Sequence, residues 1–185
     1  MKLRYNSIMN DKKSGLHTEV TSKGYKIETY FTDGVRDGKE TIWYPNGNKN
    51  SEVDYKRVWN SKKHPSGPDH HNKDTSFVSP TRKEQDDYID CIDGKKIYYW
   101  EETGNKEFEF NYSGGFTNGK QTRWHPNGQK SKEYFTEYGA YQGTETNWHP
   151  NGQKSYERHY KDDEAYGIWT EWDEDGKVVF EHNDD

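Results

Sequence analysis

The chain has 185 residues, with 33 acidic against 27 basic side chains and a formal net charge of −6. That balance argues against a nucleic-acid ligand, and a single cysteine, Cys91, excludes an internal disulfide. Only 27% of residues are hydrophobic, yet Trp, Tyr and Phe number 7, 15 and 7, which excludes an ordinary globule and suits a thin sheet whose amphipathic rings serve as core.

The opening stretch, MKLRYNSIMN, has no hydrophobic signal-peptide core, and no apolar run is long enough for a bilayer; a cytoplasmic location is expected. From Gly15 the sequence falls into a repeat of about 24 residues. The first unit, 15–37, is degenerate: Gly15, Val20 and Gly24 hold the frame in GLHTEVTSKG, with Val where later units have Trp. Asp33-Gly34 and Asp37-Gly38 read as turns between units. The second unit, 38–57, carries Trp43 and Gly47 in GKETIWYPNGNK, and its return strand ends near Tyr55. Residues 58–90 interrupt the rhythm and read as a long inserted loop.

A strand opening near Gly94 resumes the array. The third unit, 94–118, holds Trp100 and Gly104 in WEETGNK; there Phe108, Phe110 and Tyr112 alternate with Glu107 and Glu109. The fourth, 119–142, and fifth, 143–166, repeat the phrase WHPNGQKS at Trp124–Ser131 and Trp148–Ser155. In the fifth, Thr144, Thr146 and Trp148 point to one face and Glu145, Asn147 and His149 to the other; on its return strand Tyr156, Arg158 and Tyr160 share a face. The sixth, 167–185, keeps Trp172 and Gly176 but replaces PNG with EDG. Each unit reads as strand, turn, strand. Pro presets a type I turn, and Gly47, Gly104, Gly128, Gly152 and Gly176 take the left-handed position after it. The fold predicted is all-β: one elongated, single-layer antiparallel sheet of about twelve strands, roughly 60 Å long, with one inserted loop.

The Trp column (Trp43, Trp100, Trp124, Trp148, Trp172) reads as the packing spine of that sheet, with a recognition stripe as the alternative. His125 and His149 follow the Trp in successive units. Neighbouring units lie about 10 Å apart, too far for two ligands of one zinc. With Tyr44 at the same position of the second unit, they form a variable column that reads as a partner-facing surface. The inserted loop adds Trp59, His64, Asp69, His70, His71, Glu84, Asp86 and Asp87 as candidate partner contacts. Its Asp-His-His run superficially suggests a metal-dependent nuclease, but the spaced Asn and further His on a helix are not evident. The reading is therefore no metal, no cofactor and no catalytic residue.

The recurring G-x-x-x-x-W-x-P-N-G-Q-K pattern, at Trp43–Gly47, Trp124–Lys130 and Trp148–Lys154, resembles the MORN repeat variant. It looks most like the bacterial YwqK-like antitoxin proteins built from that variant. The resemblance implies a non-enzymatic protein that neutralises a partner toxin, one with a basic cleft. The alternatives are a general interaction scaffold and a small-ligand or lipid-binding repeat protein. The open sheet edges leave monomer and edge-paired dimer both available.

Overall fold

The computed structural model describes residues 13–59 and 88–184. They form one open antiparallel sheet without a helix. Its strands are β1 (Gly15–Val20), β2 (Lys26–Thr32), β3 (Val35–Trp43), β4 (Lys49–Trp59), β5 (Tyr88–Tyr99), β6 (Lys106–Ser113), β7 (Phe116–Thr117), β8 (Gly119–Trp124), β9 (Lys130–Glu137), β10 (Ala140–Trp148), β11 (Lys154–Lys161), β12 (Glu164–Trp172) and β13 (Val178–Asp184). Order in space follows order in sequence, except that the two-residue β7 pairs β6 alone while β6 also pairs β8. The expected single-file stack of hairpins is the architecture found, with β7 as the one strand beyond the twelve.

Both kinds of turn follow from their residues. At the repeat-motif end, the Gly128 amide donates to the His125 carbonyl (2.9 Å) and the His125 amide to the Gln129 carbonyl (2.8 Å). Gly128 sits at φ 86°, the left-handed position that closes a type I turn into a hairpin. At the other end the two central residues are both left-handed: Asp33 and Gly34, Tyr138 and Gly139, Asp162 and Asp163, the geometry of a type I′ turn. Asp162 and Asp163 tolerate it as short polar residues do, and their carboxylates bond across to β10. The Asp163 carboxylate accepts from the Tyr141 amide at 2.7 Å, and that of Asp162 from the Gln142 side chain at 2.5 Å.

The structure corrects three expectations about the chain's punctuation. Asp37-Gly38 is not a turn: it lies inside β3, with Gly38 at φ 117° against the Tyr30 Cβ, opposite an irregularity in β2. Strands therefore start ahead of the second glycine column. For the same reason β4 runs to Trp59 rather than Tyr55, and β5 opens at Tyr88 rather than near Gly94. Residues 60–87 of the insertion lie outside the described residues. Third, Trp100 stands one residue out of the Trp column. Tyr99 pairs with Lys106 as Trp124 pairs with Lys130, and the turn after Trp100 closes through Gly104 donating to the Trp100 carbonyl, one residue longer than its counterparts.

Burial is shallow, as a single layer requires. Among the described residues the buried apolar side chains are Val35, Val53, Ile92 and Ile97, all on β3–β5. Buried polar side chains outnumber them, and Thr29, Asp90, Gln121, Thr136 and Glu145 among them are hydrogen-bonded or ion-paired. Gln121 is fully buried where the extra β7 interrupts the β6–β8 ladder. Its side chain accepts from the Asn111 amide (2.9 Å) and donates to the carbonyls of Asn111 (3.2 Å) and Gly119 (3.1 Å) and to the Thr136 hydroxyl (3.0 Å). A side-chain amide thus stands in for a missing stretch of backbone pairing.

Candidate protein-binding faces

Every return strand but β2 opens with one extra residue. Trp124 pairs with Lys130 but Arg123 with Lys132, so Ser131 is unopposed; Asn50, Glu107 and Ser155 occupy the same place in their units. This bulge turns a K-x-x-E spacing, which would split across a flat strand, onto one face. Lys49–Glu52, Lys106–Glu109, Lys130–Glu133 and Lys154–Glu157 then pair at 2.5–2.9 Å. Each lysine also lies over the next unit's ring: Lys26 over Trp43, Lys49 over Tyr99, Lys106 over Trp124, Lys130 over Trp148 and Lys154 over Trp172, at 4.7–5.9 Å. The ring column thus carries a contact between neighbouring units, with Tyr99 in place of Trp100.

The glutamates belong to a longer row. Register sets Thr18, Glu28, Thr41, Glu52, Ile97, Glu109, Thr122, Glu133, Thr146, Glu157, Thr170 and Glu181 side by side across the sheet, one per strand. Burial alone would raise the glutamate pKa values. At Glu52 hydrogen bonds from Tyr99 and Lys49 outweigh it; at Glu109 those from Lys106 and Lys95 do so, and at Glu133 the interactions with Lys130 and Lys120. All three titrate below the ordinary glutamate range. A depressed folded value adds stability that is present above the unfolded value, about 4.3, and lost as pH falls through the folded one. Thermal melts should therefore be flat from neutral pH down to about 5 and fall below about 4. The double substitution Glu109→Gln/Glu133→Gln should shallow that acid limb; an unchanged limb would remove the row from the account.

The opposite face carries rings in three groups: Tyr98, Phe108 and Phe110; Tyr134, Tyr141 and Tyr160; and Tyr156, Trp169, Phe180 and His182. Cations lie between them. Arg123 stacks on Phe108 at 4.7 Å, Lys132 lies over Tyr134 and Tyr141, and Arg158 over Tyr160 and Trp169 at 5.7 and 5.3 Å. Each has a carboxylate: Glu107 for Arg123, Glu145 for Lys132, Asp184 for Arg158. Burial, with help from Tyr160, pushes the Tyr156 phenol up to about 12, and burial also raises those of Tyr134 and Tyr141. These phenols stay neutral hydrogen-bonding groups at physiological pH. Two buried polar atoms here have no partner, Asn147 Oδ1 and Trp169 Nε1.

The expected partner column also bonds within the sheet. The His125 ring Nε2 meets the Trp148 carbonyl and that of His149 the Trp172 carbonyl, both at 2.8 Å. Tyr44 donates to the Tyr99 carbonyl at 3.4 Å, and Trp100 Nε1 to the Trp124 carbonyl at 3.3 Å. Beside them the motif Asn amides reach across: Asn105 to the Pro126 carbonyl (2.9 Å), Asn127 to that of Pro150 and Asn151 to that of Glu174 (both 2.8 Å). His125, His149 and Tyr44 therefore fasten one turn to the next. The other expected contacts, His64, Asp69, His70, His71, Glu84, Asp86 and Asp87, lie outside the described residues, as does the side chain of Trp59. Among the described residues no group of His, Cys, Asp and Glu is placed to hold a metal, and no helix is long and apolar enough to cross a membrane. The aromatic face is half visible in the sequence: the alternation at Phe108/Phe110 and at Tyr156/Arg158/Tyr160 is legible there, but Arg123 and Lys132 join the rings only once the register is known.

Segments 36–57, 141–162 and 165–183 match the MORN repeat variant family. No curated protein matches the chain. The three matching segments fall on the hairpins β3–β4, β10–β11 and β12–β13 of the sheet.

Proposed function

We propose that the protein is a non-enzymatic binding array that neutralises a partner toxin by direct contact, acting as an antitoxin or immunity protein in the cytoplasm. MORN repeats are protein- and lipid-binding motifs, which agrees with a binding role. One observation carries the choice of surface: the Tyr156–Arg158–Trp169–Phe180 cluster lies on a sheet face that no second layer of the described chain covers. Tyr, Trp and Arg are the residues that dominate protein–protein hot spots, and here ring stacking and the Asp184 pair already hold them in place, so little ordering entropy is lost on docking. The opposite face instead spends its side chains on the lysine, glutamate and indole contacts that join unit to unit. Acidic residues of the insertion, Asp69, Glu84, Asp86 and Asp87 among them, would steer a basic cleft toward the array.

The test is co-expression with the product of the adjacent reading frame. Growth rescue together with a purifiable complex is expected. Trp169→Ala and Arg158→Ala should each weaken that complex about 30-fold or more, as loss of a hot spot worth about 2 kcal/mol requires, while Lys130→Ala on the opposite face should leave it unchanged. No rescue and no complex would reject the neutralising role; a complex indifferent to both aromatic-face variants would reject this surface.

A further inference from the structure

Among the described residues the sheet has two end strands with a single neighbour each, β1 and β13, and the two match. The Thr/Glu row starts with Thr18 on β1 and stops with Glu181 on β13. At every internal joint but one, a return-strand Glu lies opposite the next unit's Thr, as Glu157 does Thr170; Ile97 is the exception. A second copy whose β1 paired with β13 would set its Thr18 against Glu181, antiparallel and in phase. At internal joints a lysine lies over the next ring; at the open ends Val178 replaces the lysine and Val20 the ring, 48% and 68% exposed. The strands themselves would accept a second copy, and exposed apolar edges are the ones that pair.

The turn differs. Three consecutive joints, from Trp100/Asn105 onward, carry a ring N–H or ring nitrogen and an Asn amide reaching two carbonyls of the next turn. In the sixth unit Asp173 replaces the His and Asp175 the Asn. An ionised carboxylate only accepts. Asp173 is moreover folded back onto its own turn, accepting from the amides of Asp175 (3.1 Å) and Lys177 (2.9 Å). We infer that Asp173 and Asp175 close the β13 end to a second copy of this chain: they withhold the two donors a further joint needs and set negative charge where its carbonyls would lie. This concerns the sheet edge and holds whichever face a partner uses.

The test restores the donors. Asp173→His/Asp175→Asn should change a 21.9 kDa monomer into concentration-dependent dimers and longer species by light scattering after gel filtration, with an unchanged circular dichroism spectrum. In a Cys91→Ser background, Thr18→Cys and Glu181→Cys should cross-link between copies in the donor-restored protein and not in the parent. Three results would overturn the inference: a donor-restored variant that stays monomeric, a parent that already associates at the same concentration, or oligomers that form without the Thr18–Glu181 cross-link.

Discussion

Gln121→Leu should be among the most damaging single substitutions in the chain, lowering stability by about 4 kcal/mol. The side chain is wholly buried and serves four neighbours: the amide and carbonyl of Asn111, the Gly119 carbonyl and the Thr136 hydroxyl. Leucine fills the volume and removes all four contacts; the Asn111 carbonyl keeps the Asn118 amide at 2.8 Å, while the others lose a partner at about 1–3 kcal/mol for each that water cannot reach. The ladder between β6 and β8 is short, Phe108 with Arg123 and Glu109 with Thr122, so the loss falls on the thinnest joint of the array. Unfolding should then cease to be one transition. Hydrogen exchange would show β8 and β9 losing protection ahead of β3 and β4. Uniform protection loss, or a cost below about 1 kcal/mol, would mean that Gln121 merely fills space.

The second large effect belongs to Arg36. Its guanidinium pairs with Asp90 at 2.5 Å, donates to the Tyr55 hydroxyl at 2.9 Å and lies 3.7 Å from Glu40. The Asp90 side chain is only 6% exposed. Arg36→Met keeps most of the packing and removes the charge, stranding a buried carboxylate; about 3 kcal/mol should be lost. Adding Asp90→Leu should recover more than half of it, since exchanging both charges for apolar groups is close to neutral in other proteins. The check is a double-mutant cycle by urea unfolding. Additive losses would show that the two residues act separately. The position of the pair matters: Asp90 lies three residues into β5, so the ion pair holds the strand that leads out of the insertion.

The hairpin array was legible in the sequence because it depends on short-range chemistry. Pro-Asn-Gly specifies its turn wherever it stands, and the alternation of Thr144, Thr146 and Trp148 has only one period to obey. Trp100 was misplaced because identity of residue type was taken for identity of position. Tyr99 keeps the column two residues after Ile97, as Trp124 does after Thr122, and only pairing with Lys106 reveals it. The lysine–glutamate face was missed for a related reason. On a flat strand Lys130 and Glu133 point apart, and the unopposed Ser131 that brings them together can be seen only in the register. For His125 and His149, nothing in their own unit shows the acceptor that the next unit offers. A ring at the edge of a turn finds the neighbour's carbonyl, a contact between residues 23 apart in sequence.

The unopposed residue after most turns has a consequence for how such proteins change length. Because a bulged hairpin corrects its own phase before handing on to the next, an extra copy of such a 24-residue segment, or the loss of one, leaves the remaining side chains on their original sides. Gene duplication within this chain is then structurally silent except at the tips. The number of units is thus free to vary with the span of whatever surface the protein must cover.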